Sequence, residues 1–417
     1  MNSKKIRIHN PMAALPGFTF SGIEAYSTRA MTDCGGLTII ADCHNPVLLR
    51  QTAGYYRRLG LGPDELILVQ TSSDGDLYQA ITKDKALSSR IVQLVKKEGY
   101  KIEFFCTRDK VEADFLKCLG LNWSDTVSHP PELADFWNNK AHLRSRAKDE
   151  GLRHLFPEHY IIDSENDLLL AVVTILESYP EVVIKRPLWA SGQGMFFGNN
   201  IETAYHFRDY HGIPAGTIVE RSLGSGHLPM SVITQFFDGQ IIDQWFTEQQ
   251  CCLNGQTISF DGFVIGDLPQ VTDEDLLWLS RETAKLYKIV LKDNPRLTGT
   301  INFDCLRLEK ERFVLECNAR LTFSSYVQEI RRSLMSSGYS SNNCFMVHRV
   351  DLVGITDFTS LQNKLGNTLF DFSQEEGVIP ITVGCLATSG YCYLVSITHS
   401  YQQALRVMHQ AKLKLTR

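Results

Sequence analysis

Two apolar segments with acidic residues lie in the last third of the chain. Alternation of apolar residues predicts strands over 299–308 and 313–317, separated by the polar turn 309–312. If the two strands pair about this turn as an antiparallel hairpin, Asp304 comes within one residue of the position opposite Glu316. Both carboxylates are therefore expected to reach the same point in space.

The polar residues of this hairpin form a candidate metal site. Side chains alternate between the faces of a strand, so Glu316, Asn318 and Arg320 share one face. Carboxylate and amide oxygens are hard ligands suited to Mg²⁺, and adjacent carboxylates repel unless a cation lies between them. A solvated strand face with chance polar alternation is the alternative, but the apolar flanks favour a buried cluster. We predict that Asp304, Glu316 and Asn318 bind Mg²⁺ or Mn²⁺.

A lysine and a glycine-bearing loop follow an earlier predicted strand, 182–185. Lys185 ends this apolar strand, where a buried ammonium group requires a charged partner. The loop 191–194 (Ser-Gly-Gln-Gly) can bring backbone N–H groups close to a phosphate, because glycine has no Cβ. The P-loop pattern is absent, so the loop alone is weak evidence. Together with the acidic hairpin, it predicts a phosphate-binding site.

A third segment, 217–227, joins a predicted strand to two glycines and His227. Such a segment can offer backbone N–H and C=O groups to the edge of an adenine. An ordinary strand–turn–strand connection is the alternative interpretation.

These three segments, in this order, resemble the ATP-grasp superfamily of ATP-dependent ligases over roughly residues 125–335. The resemblance implies that two lysines hold the phosphates of ATP beneath a glycine-rich lid and that a hinge receives the adenine. His227 stands where the family usually has a ribose-binding acid. The implied ATP-binding residues are Lys140, Lys185, Ser191, Gly192, Gln193, Gly194, Glu220, Arg221, Leu223 and His227.

The resemblance also implies catalytic roles for two cations. Lys185, with Lys140, would hold the α- and β-phosphates. Arg320, which completes a Glu-x-Asn-x-Arg pattern, would face the transferred phosphate or acyl phosphate and stabilise the tetrahedral intermediate. The metal set of the family maps onto Asp304, Glu316 and Asn318. The implied cofactor is Mg²⁺ or Mn²⁺, and ATP is a co-substrate.

The predicted fold class is α/β and α+β. The order β-α-β-α-β near the start predicts a parallel sheet, and the antiparallel pattern of 215–265 includes a hairpin at Asp238–Gly239. Single helices are expected over 77–99 and 132–151, and a strand near 378–385. The expected segments are a Rossmann-like pre-ATP-grasp domain (1–125), a small lobe (126–219), a large lobe (220–335) and a C-terminal α/β module (336–417).

The flanking segments resemble those of pheganomycin-type peptide ligases, on the opening 10–22 and the run 377–380. This resemblance implies that the carboxylate of a small molecule or peptide attacks ATP and that an amine attacks the resulting acyl phosphate. Two alternatives stay open: an enzyme with a thiol or bicarbonate acceptor, and a non-catalytic ATP-binding protein. A bicarbonate acceptor is disfavoured because no biotin-carrier segment is recognisable in the sequence.

Composition excludes several other classes. The net charge is −5 and no basic run is interleaved with aromatic residues, so nucleic acid is not expected as a partner. We find neither a membrane span nor a signal peptide. The 11 cysteines are scattered without zinc-site spacing. We therefore expect a cytoplasmic protein with reduced thiols; its oligomeric state is left open, a homodimer being one option.

Overall fold

The computed structural model describes residues 4–11, 21–43, 45–71, 76–107, 110–188, 194–224, 226–254, 257–339, 344–352, 354–374 and 376–416. The chain divides into two compact units. The first unit contains Met1–Glu132, Gly262–Pro269 and Arg320–Arg417, and the second contains Leu133–Asp261 and Gln270–Ala319. The segment boundaries predicted from the sequence stay a prediction.

The elements alternate between strands and helices along the chain. In chain order the strands are β1 (Lys5–Ile8), β2 (Leu37–Ala41), β3 (Glu65–Val69), β4 (Lys101–Phe104), β5 (His159–Ile162), β6 (Val182–Lys185), β7 (Met195–Gly198), β8 (Thr217–Arg221), β9 (Leu228–Phe237), β10 (Gln240–Asn254), β11 (Thr257–Ile265), β12 (Gly299–Leu308), β13 (Glu311–Asn318), β14 (Cys344–Asp351), β15 (Gly377–Ile381) and β16 (Tyr391–Thr398). The α-helices are α1 (Pro46–Arg58), α2 (Leu77–Lys83), α3 (Lys85–Glu98), α4 (Val111–Cys118), α5 (Pro131–Asn138), α6 (Lys140–Asp149), α7 (Glu165–Ser178), α8 (Glu202–His211), α9 (Asp273–Asp293), α10 (Phe323–Ser336), α11 (Phe358–Leu365), α12 (Gly384–Ser389) and α13 (Tyr401–Thr416). Short 3₁₀ helices cover Ile23–Thr32, Trp123–Asp125, Arg153–Leu155 and Gly366–Thr368.

The first unit contains the parallel sheet that the sequence predicts. Its strand order is β3-β2-β1-β4, and every pair is parallel. The central strand β1 was not predicted, because only four residues form it and two of them are charged. This unit also contains antiparallel strand pairs: β14 pairs with β16 and with the end of β11, and β16 pairs with β15.

Two expectations about the first unit are wrong. The helix expected over 77–99 is two helices, because Asp84 is extended (φ −81°, ψ 97°) and its side chain caps α3 by accepting from the Leu87 N–H. The strand expected near 378–385 ends at Ile381, because Thr382 adopts a positive φ of 56° and α12 begins two residues later.

The second unit contains two antiparallel sheets. One has the order β5-β8-β6-β7. In the other, β12 lies between β13 and β9, and β9 also pairs with β10. Alternate residues of β12 (Ile301, Phe303 and Cys305) pack into the same hydrophobic core as residues of α9. The intervening residues of β12 therefore face away from this core.

The single helix expected over 132–151 is also wrong, because the chain breaks at Asn139 into α5 and α6. The Asn139 side chain accepts hydrogen bonds from the backbone N–H groups of Ala141 (2.9 Å) and His142 (3.2 Å). This is an N-cap, which ends one helix and starts the next. Its consequence is that Lys140 occupies the first helical position of α6.

Among the described residues, none of the helices combines the length and the apolar composition that crossing a bilayer requires.

The hairpin between β9 and β10 is confirmed at Asp238–Gly239. Both residues have positive φ (48° and 77°), as the two central residues of a type I′ hairpin turn require. A Cβ added to Gly239 would lie 2.1 Å from the Pro295 carbonyl oxygen. Glycine is therefore required here by both backbone conformation and space.

We predict that Gly239→Ala lowers the free energy of unfolding by about 3 kcal/mol, because a positive φ and a backbone overlap both oppose the methyl group. Gly151→Ala is the matched control: Gly151 has a φ of 74° in the same unit, but its added Cβ would meet nothing within 4 Å. The control should lose only about 1 kcal/mol. Urea denaturation measures both, and equal losses would contradict the prediction.

Candidate functional site

The polar face of the β12–β13 hairpin brings the predicted metal ligands together. Asp304 lies directly opposite Glu316, and Asn302 lies opposite Asn318. The predicted register is therefore confirmed. The ladder has an irregularity directly after Asp304.

Asp304 lies at the centre of a hydrogen-bonded cluster. Its Oδ1 accepts from Ser231 Oγ (2.6 Å), Gln249 Nε2 (2.9 Å) and Asn302 Nδ2 (3.0 Å). Its Oδ2 accepts from Asn318 Nδ2 at 2.7 Å. Every one of these contacts keeps the carboxylate oriented along the polar face.

The donor set of this cluster fits a hard divalent cation. Burial raises the pKa of Asp304 to about 6, and the neighbouring Glu316 carboxylate adds to this shift. The Asn302 Oδ1 oxygen is buried and has no hydrogen-bond partner within the described chain. An oxygen-seeking cation beside the two carboxylates would satisfy both features.

A cation here would depend on amide oxygens as well as carboxylates. The described residues contain no group of three or more His, Cys, Asp or Glu side chains placed to hold a metal ion. Two carboxylates with the amides of Asn302 and Asn318 would supply the set, and such mixed oxygen ligation is ordinary for Mg²⁺.

Lys140 approaches this cluster from the start of α6. Its Nζ lies 2.8 Å from Glu316 Oε2, and the Lys140 side chain is 9 % exposed. The backbone N–H of Lys140 donates to the Pro187 carbonyl at 3.0 Å, so the residue is also fixed to the chain just after β6. The helix break at Asn139 is thus what positions Lys140.

Lys185 lies at the end of β6 and is buried. Its Nζ donates to Glu220 Oε1, while Arg144 donates to Glu220 Oε2 at 2.7 Å. Arg144 also donates to the backbone carbonyl of Lys140 at 3.1 Å. A continuous series of polar contacts therefore runs from Lys185 through Glu220, Arg144 and Lys140 to the Glu316 carboxylate of the candidate metal site.

Glu220 is ionised in this arrangement. Burial alone would raise the pKa of its carboxyl group, but Lys185 and Arg144 outweigh burial and hold that pKa at about 2. Burial lowers the pKa of Lys185, and the Glu220 carboxylate opposes this. Glu220 is therefore the charge partner of Lys185. The sequence analysis expected such a partner for a buried lysine but did not identify the residue.

The predicted hinge continues from Glu220 along the end of β8. The Arg221 side chain pairs with Glu311 at 3.0 Å and lies 4.8 Å from the centre of the Phe313 ring. His227 Nδ1 lies 2.8 Å from the Gly224 carbonyl oxygen, and Leu223 is half-buried. The nucleotide-binding roles of Arg221, Leu223 and His227 stay predictions.

The other predicted residues are placed as follows. Ser191, Gly192 and Gln193 lie outside the described residues. Gly194 has a φ of 69°, and its carbonyl accepts from the Arg186 N–H at 3.1 Å. Arg320 belongs to the first unit.

Four polar residues of this site were not singled out from the sequence. Asn302 precedes Asp304 by two residues and Arg144 follows Lys140 by four, so strand and helix periodicity could have revealed them. Ser231 and Gln249 lie on β9 and β10, and only the cross-strand register shows that they meet Asp304.

Comparison with known proteins identifies the fold. No protein-family model matches the sequence, and no curated protein matches it. Solved structures do: biotin carboxylase from Campylobacter jejuni in a complex with β,γ-ATP aligns with a TM-score of 0.63 and 14 % identity, over 98 % of this chain and 90 % of that one. L-amino acid ligase from Bacillus licheniformis aligns with a TM-score of 0.51 and 14 % identity, over 99 % and 98 %.

A third solved structure contains the ligands predicted here. The biotin carboxylase domain of 2-oxoglutarate carboxylase from Hydrogenobacter thermophilus, in complex with MgADP, ADP and bicarbonate, aligns with a TM-score of 0.58 and 14 % identity, over 99 % of this chain and 90 % of that one. These neighbours are ATP-grasp ligases. The mixed α/β fold of this chain matches theirs over nearly its whole length.

Proposed function

We propose that this protein is an ATP-dependent ligase that joins a carboxylate to an amine through an acyl phosphate, releasing ADP and phosphate. The observation that carries the proposal is the continuous polar series from Lys185 to Asp304 within the second unit. It gathers two lysines and two carboxylates at one place, on a fold shared with ATP-grasp ligases. Phosphoryl transfer needs this combination of cations and oxygen ligands.

The two lysines would bind the phosphate oxygens of ATP. Each is buried and already paired with a carboxylate: Lys140 with Glu316 and Lys185 with Glu220. Their ammonium groups are therefore held in place before the nucleotide arrives, and preorganised charge lowers the cost of stabilising a transition state. Arg144 keeps Glu220 neutralised when Lys185 turns towards a phosphate.

Asp304, Glu316 and Asn318, with Asn302 beside them, would hold Mg²⁺ or Mn²⁺. The bound ion would supply neutralisation of charge on the phosphate oxygens. Ser231 and Gln249 keep Asp304 oriented through their hydrogen bonds. The remaining roles are proposals from the resemblance: Glu220–Leu223 with His227 for the nucleoside, Ser191–Gly194 for the phosphates, and Arg320 for the tetrahedral intermediate.

An amine is the proposed acceptor, with a small-molecule or peptide carboxylate as the other substrate. The fold of L-amino acid ligase and the sequence resemblance to pheganomycin-type peptide ligases support this choice. We also propose a cytoplasmic location, since the cysteines whose side chains the structure describes form no disulfides. A thiol or bicarbonate acceptor is the principal alternative.

Release of ADP and phosphate tests the proposal directly. The protein is incubated with Mg·ATP and pairs of amino acids and short peptides, and products are identified by mass spectrometry. Pair-dependent ADP release with an amide product supports the proposal. Release that requires bicarbonate or a thiol instead overturns the choice of acceptor, and ATP binding without release in any mixture identifies a non-catalytic ATP-binding protein.

We predict that Lys185→Ala lowers ATP turnover by at least ~100-fold, because the phosphates of ATP lose a fixed positive charge. Lys292→Ala is the matched control: this lysine of the same unit pairs with Glu150 at 2.9 Å and its side chain is 66 % exposed. The control should keep its activity. Far-ultraviolet circular dichroism checks that both variants are folded, and normal turnover by folded Lys185→Ala would remove the phosphate role.

We predict that Glu316→Gln raises the Mg²⁺ concentration for half-maximal activity ~10-fold or more, because the site loses one of its two charged ligands. Glu309→Gln, in the exposed turn before β13, serves as the matched control and should not move it. A Mg²⁺ titration of ADP release measures both variants. Superimposable titrations of Glu316→Gln and the control would show that the ion binds elsewhere.

A further inference from the structure

Arg29, on the 3₁₀ helix Ile23–Thr32, is one of three buried arginines among the described residues. The other two have carboxylate partners: Arg7 Nε lies 3.2 Å from Asp33, and Arg144 NH2 lies 2.7 Å from Glu220. For Arg29, the described chain supplies no carboxylate ion pair. Its polar contact is a long hydrogen bond of 3.4 Å from Nε to Thr382 Oγ1.

Aromatic rings surround the Arg29 guanidinium group. Its central carbon lies 3.8 Å from the centre of the Tyr26 ring and 3.8 Å from that of Phe323. Both rings are close enough to stack on the guanidinium group. The Tyr393 ring follows at 5.7 Å.

This packing leaves two donors available. Rings stack on the group and Nε points to Thr382, so the two terminal nitrogens are the donors left for a ligand. Arg29 keeps 7 % of its surface accessible. Two parallel N–H donors in one plane match the two oxygens of a carboxylate. A phosphate can accept from the same pair of donors, and the apolar rings around Arg29 are what favour an acid with an apolar group.

The surroundings favour a negative charge. A buried cation without a counter-anion is unfavourable, and stacking on rings compensates for this only in part. Phe323 is the first residue of the 14-residue helix α10, whose N-terminus carries partial positive charge.

We propose that Arg29, Tyr26, Phe323 and Tyr393 form a carboxylate-binding site in the first unit, which takes an acid with an apolar group next to its carboxylate. Arg29 supplies the paired donors and the rings supply the apolar walls. The identity of the ligand as a substrate rests on the proposed ligase function. The existence of the site rests only on the unpaired, ring-enclosed guanidinium.

Binding to the full chain without ATP tests this site. Isothermal titration calorimetry compares benzoate and N-acetylphenylalanine with N-acetylphenylalaninamide, the neutral counterpart of the latter. The acids should bind at least ~10-fold more tightly than the amide, because the amide cannot accept two charge-assisted hydrogen bonds. Arg29→Gln should remove this preference. Arg29→Lys, which keeps the charge but not the planar pair of donors, should weaken acid binding and serves if Arg29→Gln does not fold.

Arg349→Gln is the matched control. Arg349 also lies over a tyrosine ring, 4.0 Å from the centre of Tyr391, but it is exposed and pairs with Asp351 at 2.9 Å. This variant should keep the preference for acids. Three results would each overturn the site. The wild-type chain binds acid and amide equally, or it binds neither acid, or folded Arg29 variants bind the acids as well as the wild type does.

Failure of this site and failure of the ligase proposal give different results. If acids bind through Arg29 but no acid–amine pair releases ADP, the site stands and the ligase proposal fails. If ADP release is normal in Arg29→Gln, with an unchanged KM for the acid, the ligase stands and this site fails. Mg·ATP binding should be the same in Arg29→Gln and in the wild type.

Discussion

The buried carboxylate of Glu220, shared between Lys185 and Arg144, is the interaction on which the second unit's site depends. An ion buried without a partner is strongly unfavourable, so each of these three charges requires the others. Glu220 lies near the end of β8, Lys185 ends β6 and Arg144 lies on α6, so the same contacts that neutralise the charges also hold a sheet to a helix. Loss of Glu220 would leave two buried cations facing each other. The stability of the site and its chemistry therefore have a common origin.

The pair formed by Lys140 and Glu316 connects this buried group with the half-buried acidic face of β12 and β13. Under the proposed function, a phosphate ligand and a metal ligand neutralise each other while the nucleotide is absent. Neither lysine nor carboxylate is then left as an isolated charge. When nucleotide and metal bind together, Lys140 exchanges the Glu316 carboxylate for a phosphate, and Glu316 exchanges the lysine for the metal ion. The net cost of desolvation then stays small. Binding of nucleotide without metal would instead leave Glu316 beside the phosphates, where like charges repel.

The acidic hairpin could be predicted because its information is local. Alternation fixes which side chains share a face, and a short polar turn fixes the register, so Asp304 was correctly placed opposite Glu316. The helix breaks at Asp84 and Asn139 were missed because apolar periodicity continues through both positions, although each residue is a good N-cap. The contacts of Ser231 and Gln249 with Asp304 could not be found from the sequence at all. They depend on which strands of the sheet are neighbours, and chain order does not determine that.

Arg29 is a buried arginine for which the described residues supply no carboxylate partner. The described residues bury three guanidinium groups, each of which requires neutralisation, and carboxylates neutralise those of Arg7 and Arg144. Arg29 is different because aromatic rings, and no carboxylate of the described residues, lie against its guanidinium group. The rings leave the guanidinium group charged and limit the directions from which an anion can approach it. Such an arrangement is useful where the counter-anion is a ligand and not a side chain of the protein. A protein selected for stability alone could replace such a residue with an apolar one of similar volume. Retention of a cation there is therefore better explained by a ligand than by packing.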